Sequence, residues 1–167
     1  MITKSSLLRL LGLALLLFYG CDRGLVPTEP PPGPGALSGL ITYAHWPPPD
    51  SLFDLRIVAF RDFPPEGIVS SVLGGEAAVY PAIGDTALVP FFVDSLRYAF
   101  DLPSGRYEYV AVAQQYGPNL FTDWRPVGQY DLDTNLAVPT PIDVPPGDTL
   151  RNIDIHVDFA NPPPAPF

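Results

Sequence analysis

The stretch that most constrains this chain is Leu96–Gln114, LRYAFDLPSGRYEYVAVAQ, in which two runs of strand-forming residues flank Pro103-Ser104-Gly105. In the first run Leu96, Tyr98, Phe100 and Leu102 alternate with Arg97, Ala99 and Asp101. A two-residue period sends successive side chains to opposite faces, so this run predicts a strand with one buried face and one wet face. In the second run Tyr107, Tyr109, Ala111 and Ala113 share one face and Val110 and Val112 the other. Both faces are largely apolar, which predicts a central strand covered on both sides. Pro103 pre-sets φ at about −65° and Gly105 permits the φ that closes a tight loop, so the two runs are expected to form a short-looped hairpin. Proline, glycine and the prevalence of aromatic and β-branched residues argue against helix.

The segments before the hairpin bound where the protein works. Met1–Gly20 carries Lys4 and Arg9, then the apolar run Leu10–Tyr19, the layout of a secretory signal. That run is about half of the ~20 residues needed to span a bilayer. Gly20-Cys21 resembles the lipobox of bacterial lipoproteins, with Phe18 and Tyr19 departing from its usual residues. The resemblance implies that Cys21 becomes the first mature residue and carries acyl chains, tethering the protein to a membrane of the cell envelope. Residues 21–35 hold Pro27, Pro30, Pro31, Pro32 and Pro34, a composition that favours extended polyproline II, and are expected to be a stiff linker.

Charge and composition exclude whole classes of function. Of nine basic residues Lys4 and Arg9 precede Cys21, which leaves seven against eighteen acidic groups, a net charge of −11 after the signal. Such a surface repels phosphates, so nucleic acid is not an expected partner. Lys4 is the one lysine, and so no Schiff-base, phosphate-cradling or isopeptide-forming lysine is available after processing. Cys21 is the one cysteine, which excludes an intrachain disulfide and a thiolate zinc site.

Further strands are expected at Ala36–Ala44, Ser51–Phe60 and Val127–Leu132, and Val89–Val93 is strand-like despite Pro90. Ile68–Leu73 reads as a short strand or one helical turn. Thr149–Phe159 places Ile153, Ile155, Val157 and Phe159 on one face and Asn152, Asp154, His156 and Asp158 on the other, a half-buried last strand. The proline-rich tail 161–167 is expected to be unpacked. About seven short strands with turn signals between them predict an all-β fold, a single antiparallel β-sandwich over residues 36–160. The segment Tyr98–Ala113, with Leu102-Pro103-x-Gly105-x-Tyr107, resembles the carboxypeptidase-regulatory-like, transthyretin-like domains of exported bacterial proteins. Val144-Pro145-Pro146-Gly147-Asp148 followed by Ile153-Asp154-Ile155 is similar to that family's last segment, and Ala36–Thr42 to its opening strand. The resemblance implies a scaffold and names no chemistry.

Candidate sites are few. Asp154, His156 and Asp158 share one strand face at a spacing suited to a divalent ion, although charged residues between Ile and Val also describe any wet face. Asp131, Asp133 and Asn135 match the start of a calcium loop, but Leu136 stands where that loop needs glycine. Trp46, Trp124 and Arg125 are candidates for an exposed platform that contacts a sugar or a partner protein. The histidines His45 and His156 and the turn serines Ser51 and Ser104 make no nucleophilic constellation, so neither enzymatic activity nor a cofactor is expected. The leading expectation is an envelope lipoprotein acting by protein contact. The alternative is a module that binds carbohydrate or another small ligand through exposed aromatics.

Overall fold

The computed structural model describes residues 33–85 and 87–166. The signal, Cys21 and most of the linker lie outside them. In chain order the elements are β1 (Pro34–Ala44), β2 (Asp54–Phe60), helix α1 (Ile68–Gly74), β3 (Ala77–Tyr80), β4 (Ser95–Pro103), β5 (Gly105–Tyr107), β6 (Tyr109–Gln115), β7 (Trp124–Gln129), β8 (Ile142–Val144), β9 (Thr149–Leu150) and β10 (Ile155–Asp158). The principal sheet runs β3-β2-β6-β7-β10-β1-β4, with β9 also on β1, while β5 and β8 form a separate pair. The fold is therefore mostly β, as the alternating runs predict.

Strand β6 has the expected central position: it pairs with β2 on one side and β7 on the other, and all seven of its residues are buried. Its two apolar faces serve two different cores. Val110 and Val112 join Leu55 and Ile57 of β2 in the main core, whereas Tyr109, Ala111 and Ala113 join Val58, Phe60 and Ile68 in a second cluster under α1. Strand β4 alternates as its sequence requires, with Tyr98, Phe100 and Leu102 buried and Arg97, Ala99 and Asp101 exposed.

These two strands do not form a hairpin. Strand β4 pairs with β1, at the far end of the sheet from β2, and β7, β10 and β1 lie between it and β6. Alternation dictates which face a side chain takes, but not which strand lies beside it. Pro103-Ser104-Gly105 instead carries the chain from one part of the sheet to another. Gly105, at φ +122°, opens the short strand β5, and the buried Tyr107 donates its hydroxyl hydrogen back to the Pro103 carbonyl at 2.7 Å. The Arg61 guanidinium lies over the Tyr107 ring, 4.6 Å from its centroid, which holds the crossing in place.

The sheet is mixed rather than antiparallel, because β1 runs parallel to both β9 and β10. Those two short strands replace the single last strand expected over Thr149–Phe159. Between them Asn152 takes φ +62° and the chain passes over Gly39, whose missing Cβ leaves room for the Ile153 carbonyl. Alternate burial of Ile153, Ile155, Val157 and Phe159 persists through the break. The ends of the sheet curl toward one another, so that Tyr80 of β3 stacks on Phe100 of β4 at 5.3 Å. Ile68–Leu73 is helical, closed by Gly75 in the left-handed region at φ +83°. Val89–Val93 forms no strand, although Val89 is buried. The tail is not wholly unpacked, since Pro163 is buried.

Candidate functional site

The two tryptophans do not share a platform. Trp46 follows β1 and turns inward, stacking on Tyr43 at 4.7 Å and lying 4.8 Å from Phe159, while its Nε1 donates to the Val93 carbonyl at 3.0 Å. It closes one end of the main core. Trp46 is half-buried rather than fully exposed: Phe92 and Phe159 lie against its ring, and neither is adjacent to it in sequence.

The polar face of β10 disperses its candidate ligands. Asp154 Oδ1 accepts the Leu40 N–H at 2.7 Å, His156 Nδ1 meets Thr42 Oγ1 at 2.9 Å, and Asp158 Oδ1 meets His45 Nδ1 at 2.7 Å. Asp158 also accepts from Asn161 Nδ2 and the Ala160 N–H. The bond from Asn161, followed by that from His45, holds its carboxyl well below the usual carboxylate range. A depression of about 430 Å³ runs past these residues to Asp131 and Asp133. Asp131 and Asp133 spend side-chain oxygens on the N–H groups of Asp133 and Asn135, so they act as turn-formers. Among the described residues no three His, Cys, Asp or Glu side chains come together as metal ligands.

Trp124 and Arg125, at the start of β7, sit in a different setting. The Trp124 Nε1 donates to the Leu120 carbonyl at 2.8 Å, fixing the indole beneath the 117–123 loop. One face of the ring lines a groove of about 470 Å³ between that loop and α1, together with Val69, Val72, Val79 and four strongly exposed residues. Those four are Leu73 at 68%, Ile83 at 64%, Leu120 at 55% and Phe121 at 70% exposure. The one charged pair at the groove, Arg56 and Asp54, is closed on itself at 2.7 Å, and Arg56 also donates to the Pro81 carbonyl. Beside Trp124, Arg125 is held by Gln114 at 3.0 Å and lies over the Tyr116 ring, 5.7 Å from its centroid.

No family model, no curated protein and no solved structure matches this chain.

What the groove can do therefore follows from its own chemistry. Its lining is mostly apolar, and among the described residues its charged groups, Asp54 and Arg56, are already paired with each other. It can release water from an apolar surface laid into it, and it offers few groups to the hydroxyls of a sugar. Of the residues singled out in the sequence, Trp124 belongs to this site, Arg125 borders it, and Trp46 lies in another cluster. The other members were not legible. Ile68–Leu73 is too short for a helical period to emerge, and Leu120-Phe121 sits in a loop where apolar residues carry no periodicity. The one available signal was the concentration of large apolar residues in a segment without strand alternation.

Proposed function

We propose that this protein is an envelope lipoprotein whose domain, held away from the membrane on its proline-rich linker, acts by binding the apolar face of a partner protein in the groove at Trp124. The single observation that supports this is the exposure of Leu73, Ile83, Leu120 and Phe121 around one concave surface. Large apolar side chains gathered in one patch, rather than scattered singly, mark contact sites. The transthyretin-like sandwich reading of the curled sheet belongs to the same proposal, as does acylation of Cys21. A partner that presents an apolar surface with basic residues around it suits the groove, because the protein around it carries an excess of acidic groups.

The test is recovery of the full chain from membranes in mild detergent, comparing wild type with Leu73→Asp and Phe121→Asp. Both residues are mostly exposed, so these changes are expected to leave the circular dichroism spectrum and thermal midpoint within a few degrees of wild type. A stoichiometric companion present with wild type and lost with both variants supports the reading. Retention of every companion by both variants contradicts it. For the anchor, Cys21→Ala is expected to move the protein out of the membrane fraction, and unchanged fractionation contradicts acylation.

A further inference from the structure

The free edge of β4 carries a second contact surface of a different kind. On one side β4 is hydrogen-bonded to β1 along its whole length, and no described strand pairs with the other side. Tyr80 of β3 stacks on the inward-facing Phe100 ring of β4, and among the described residues the two strands are not paired. The Tyr43 N–H donates to the Asp94 carbonyl at 3.0 Å, and antiparallel pairs alternate between bonded and non-bonded. Stepping by two along the register, Leu96, Tyr98, Phe100 and Leu102 bond to β1, and Ser95, Arg97, Ala99 and Asp101 turn their N–H and C=O groups outward. These four residues are exposed. A nine-residue edge of this kind is a ready template for another strand.

The side chains on this edge identify the strand it fits. Residues 96–102 read Leu-Arg-Tyr-Ala-Phe-Asp-Leu, a sequence complementary to its own reversal. We propose that the protein forms a two-fold dimer in which β4 pairs antiparallel with β4 of a second copy, centred on Ala99. In that register Leu96 faces Leu102, Arg97 faces Asp101, Tyr98 faces Phe100, and Ala99 faces itself. Ala99 is among the residues whose backbone groups point outward, so the centre is a bonded pair, and Arg97, Ala99 and Asp101 of each copy donate and accept across the axis. Two Arg97–Asp101 pairs lie on the wet face, and neither residue has an ion-pair partner within its own chain among the described residues.

Competing arrangements are poorer. Moving the centre to residue 97 sets arginine against arginine, and moving it to 101 sets aspartate against aspartate. A parallel pairing in register does both. Like charges directly opposite one another destabilise a strand pair, so the charges select one register out of several. Pro103 has no N–H and ends the ladder. An interface confined to one strand is small, which places the association among weak, concentration-dependent dimers.

The test is sedimentation equilibrium of the full chain in detergent micelles, on wild type, Arg97→Asp, Asp101→Arg and an equimolar mixture of the two variants. The wild type is expected to move from the mass of one protein chain toward twice that mass as concentration rises. Each single reversal is expected to weaken the dimer by about tenfold or more, because both cross-axis pairs become repulsive. The mixture regains wild-type association, because each variant supplies the charges the other lacks. Circular dichroism verifies that each variant folds, and Leu73→Asp, in the groove, leaves the dimer unchanged. A monomer up to roughly 100 μM, a dimer indifferent to both reversals, or a mixture no tighter than its parts overturns the proposal.

Discussion

Tyr98 and Tyr109 are both buried, and they use their hydroxyls differently. Tyr98 donates to the Ile153 carbonyl at 2.6 Å, whereas among the described residues the Tyr109 hydroxyl has no hydrogen-bond partner. Tyr98→Phe leaves a buried carbonyl short of a donor and is expected to lower stability by about 1–2 kcal/mol in chemical denaturation. Tyr109→Phe removes a polar atom that gains nothing from burial, so it is expected to be neutral or stabilising by the same measurement. Burial also pushes the phenols of Tyr43, Tyr98 and Tyr109 well above the ordinary tyrosine value. A folded-state pKa raised above the unfolded value gives stability that is fully present below the unfolded value, about 10, and is lost as pH rises toward the folded one. Unfolding free energy measured against pH should therefore fall above about pH 10, with tyrosinate absorbance rising together with unfolding. Tyrosinate appearing before loss of structure would contradict the burial of these rings.

At the scale of elements, the crossing of β1 and the last strand explains why a glycine stands in the middle of a sheet. The Ile153 carbonyl lies where a Cβ on residue 39 would be, and the Ile153 N–H donates to the Ser38 carbonyl at 3.1 Å. Gly39→Ala must push the β9–β10 connection off β1, at an expected cost of about 1–3 kcal/mol, read as a lowered denaturation midpoint. The same change at Gly74, which has open space around it, is expected to cost nothing or to stabilise the helix. Strand identity was legible from the sequence: apolar and polar residues take turns in β4 and β10, and β2 and β6 show as short apolar runs that suit a strand covered on both faces. Pairing was not. The contact of Ile41 with Ile155 joins residues far apart in the chain, and no local period records it. The break between β9 and β10 was hidden for the same reason, since Asn152 preserves the alternation while turning the backbone.

For the whole molecule, the curl of the sheet divides the apolar residues into two sets. The inner set is closed at one end by Trp46, while the outer set is only partly roofed by α1, leaving Trp124 and its exposed neighbours facing solvent. The open apolar groove is the surface on which the proposed partner contact rests. Trp124→Ala should deepen the groove and cost roughly 1–3 kcal/mol of stability through lost burial, and it is expected to reduce partner recovery by more than any change at Trp46 that leaves the protein folded. Only Trp124 and Arg125 of this region were visible in the sequence, because the groove is assembled from a helix, a strand and a loop that share no motif. The most direct test places a photo-reactive residue at Phe121 in living cells, with the same residue at the exposed Arg151 as comparison. A discrete cross-linked species from position 121, absent from position 151 and abolished by Leu73→Asp, is the predicted result. Equal labelling at both positions, or none at 121, would contradict the account.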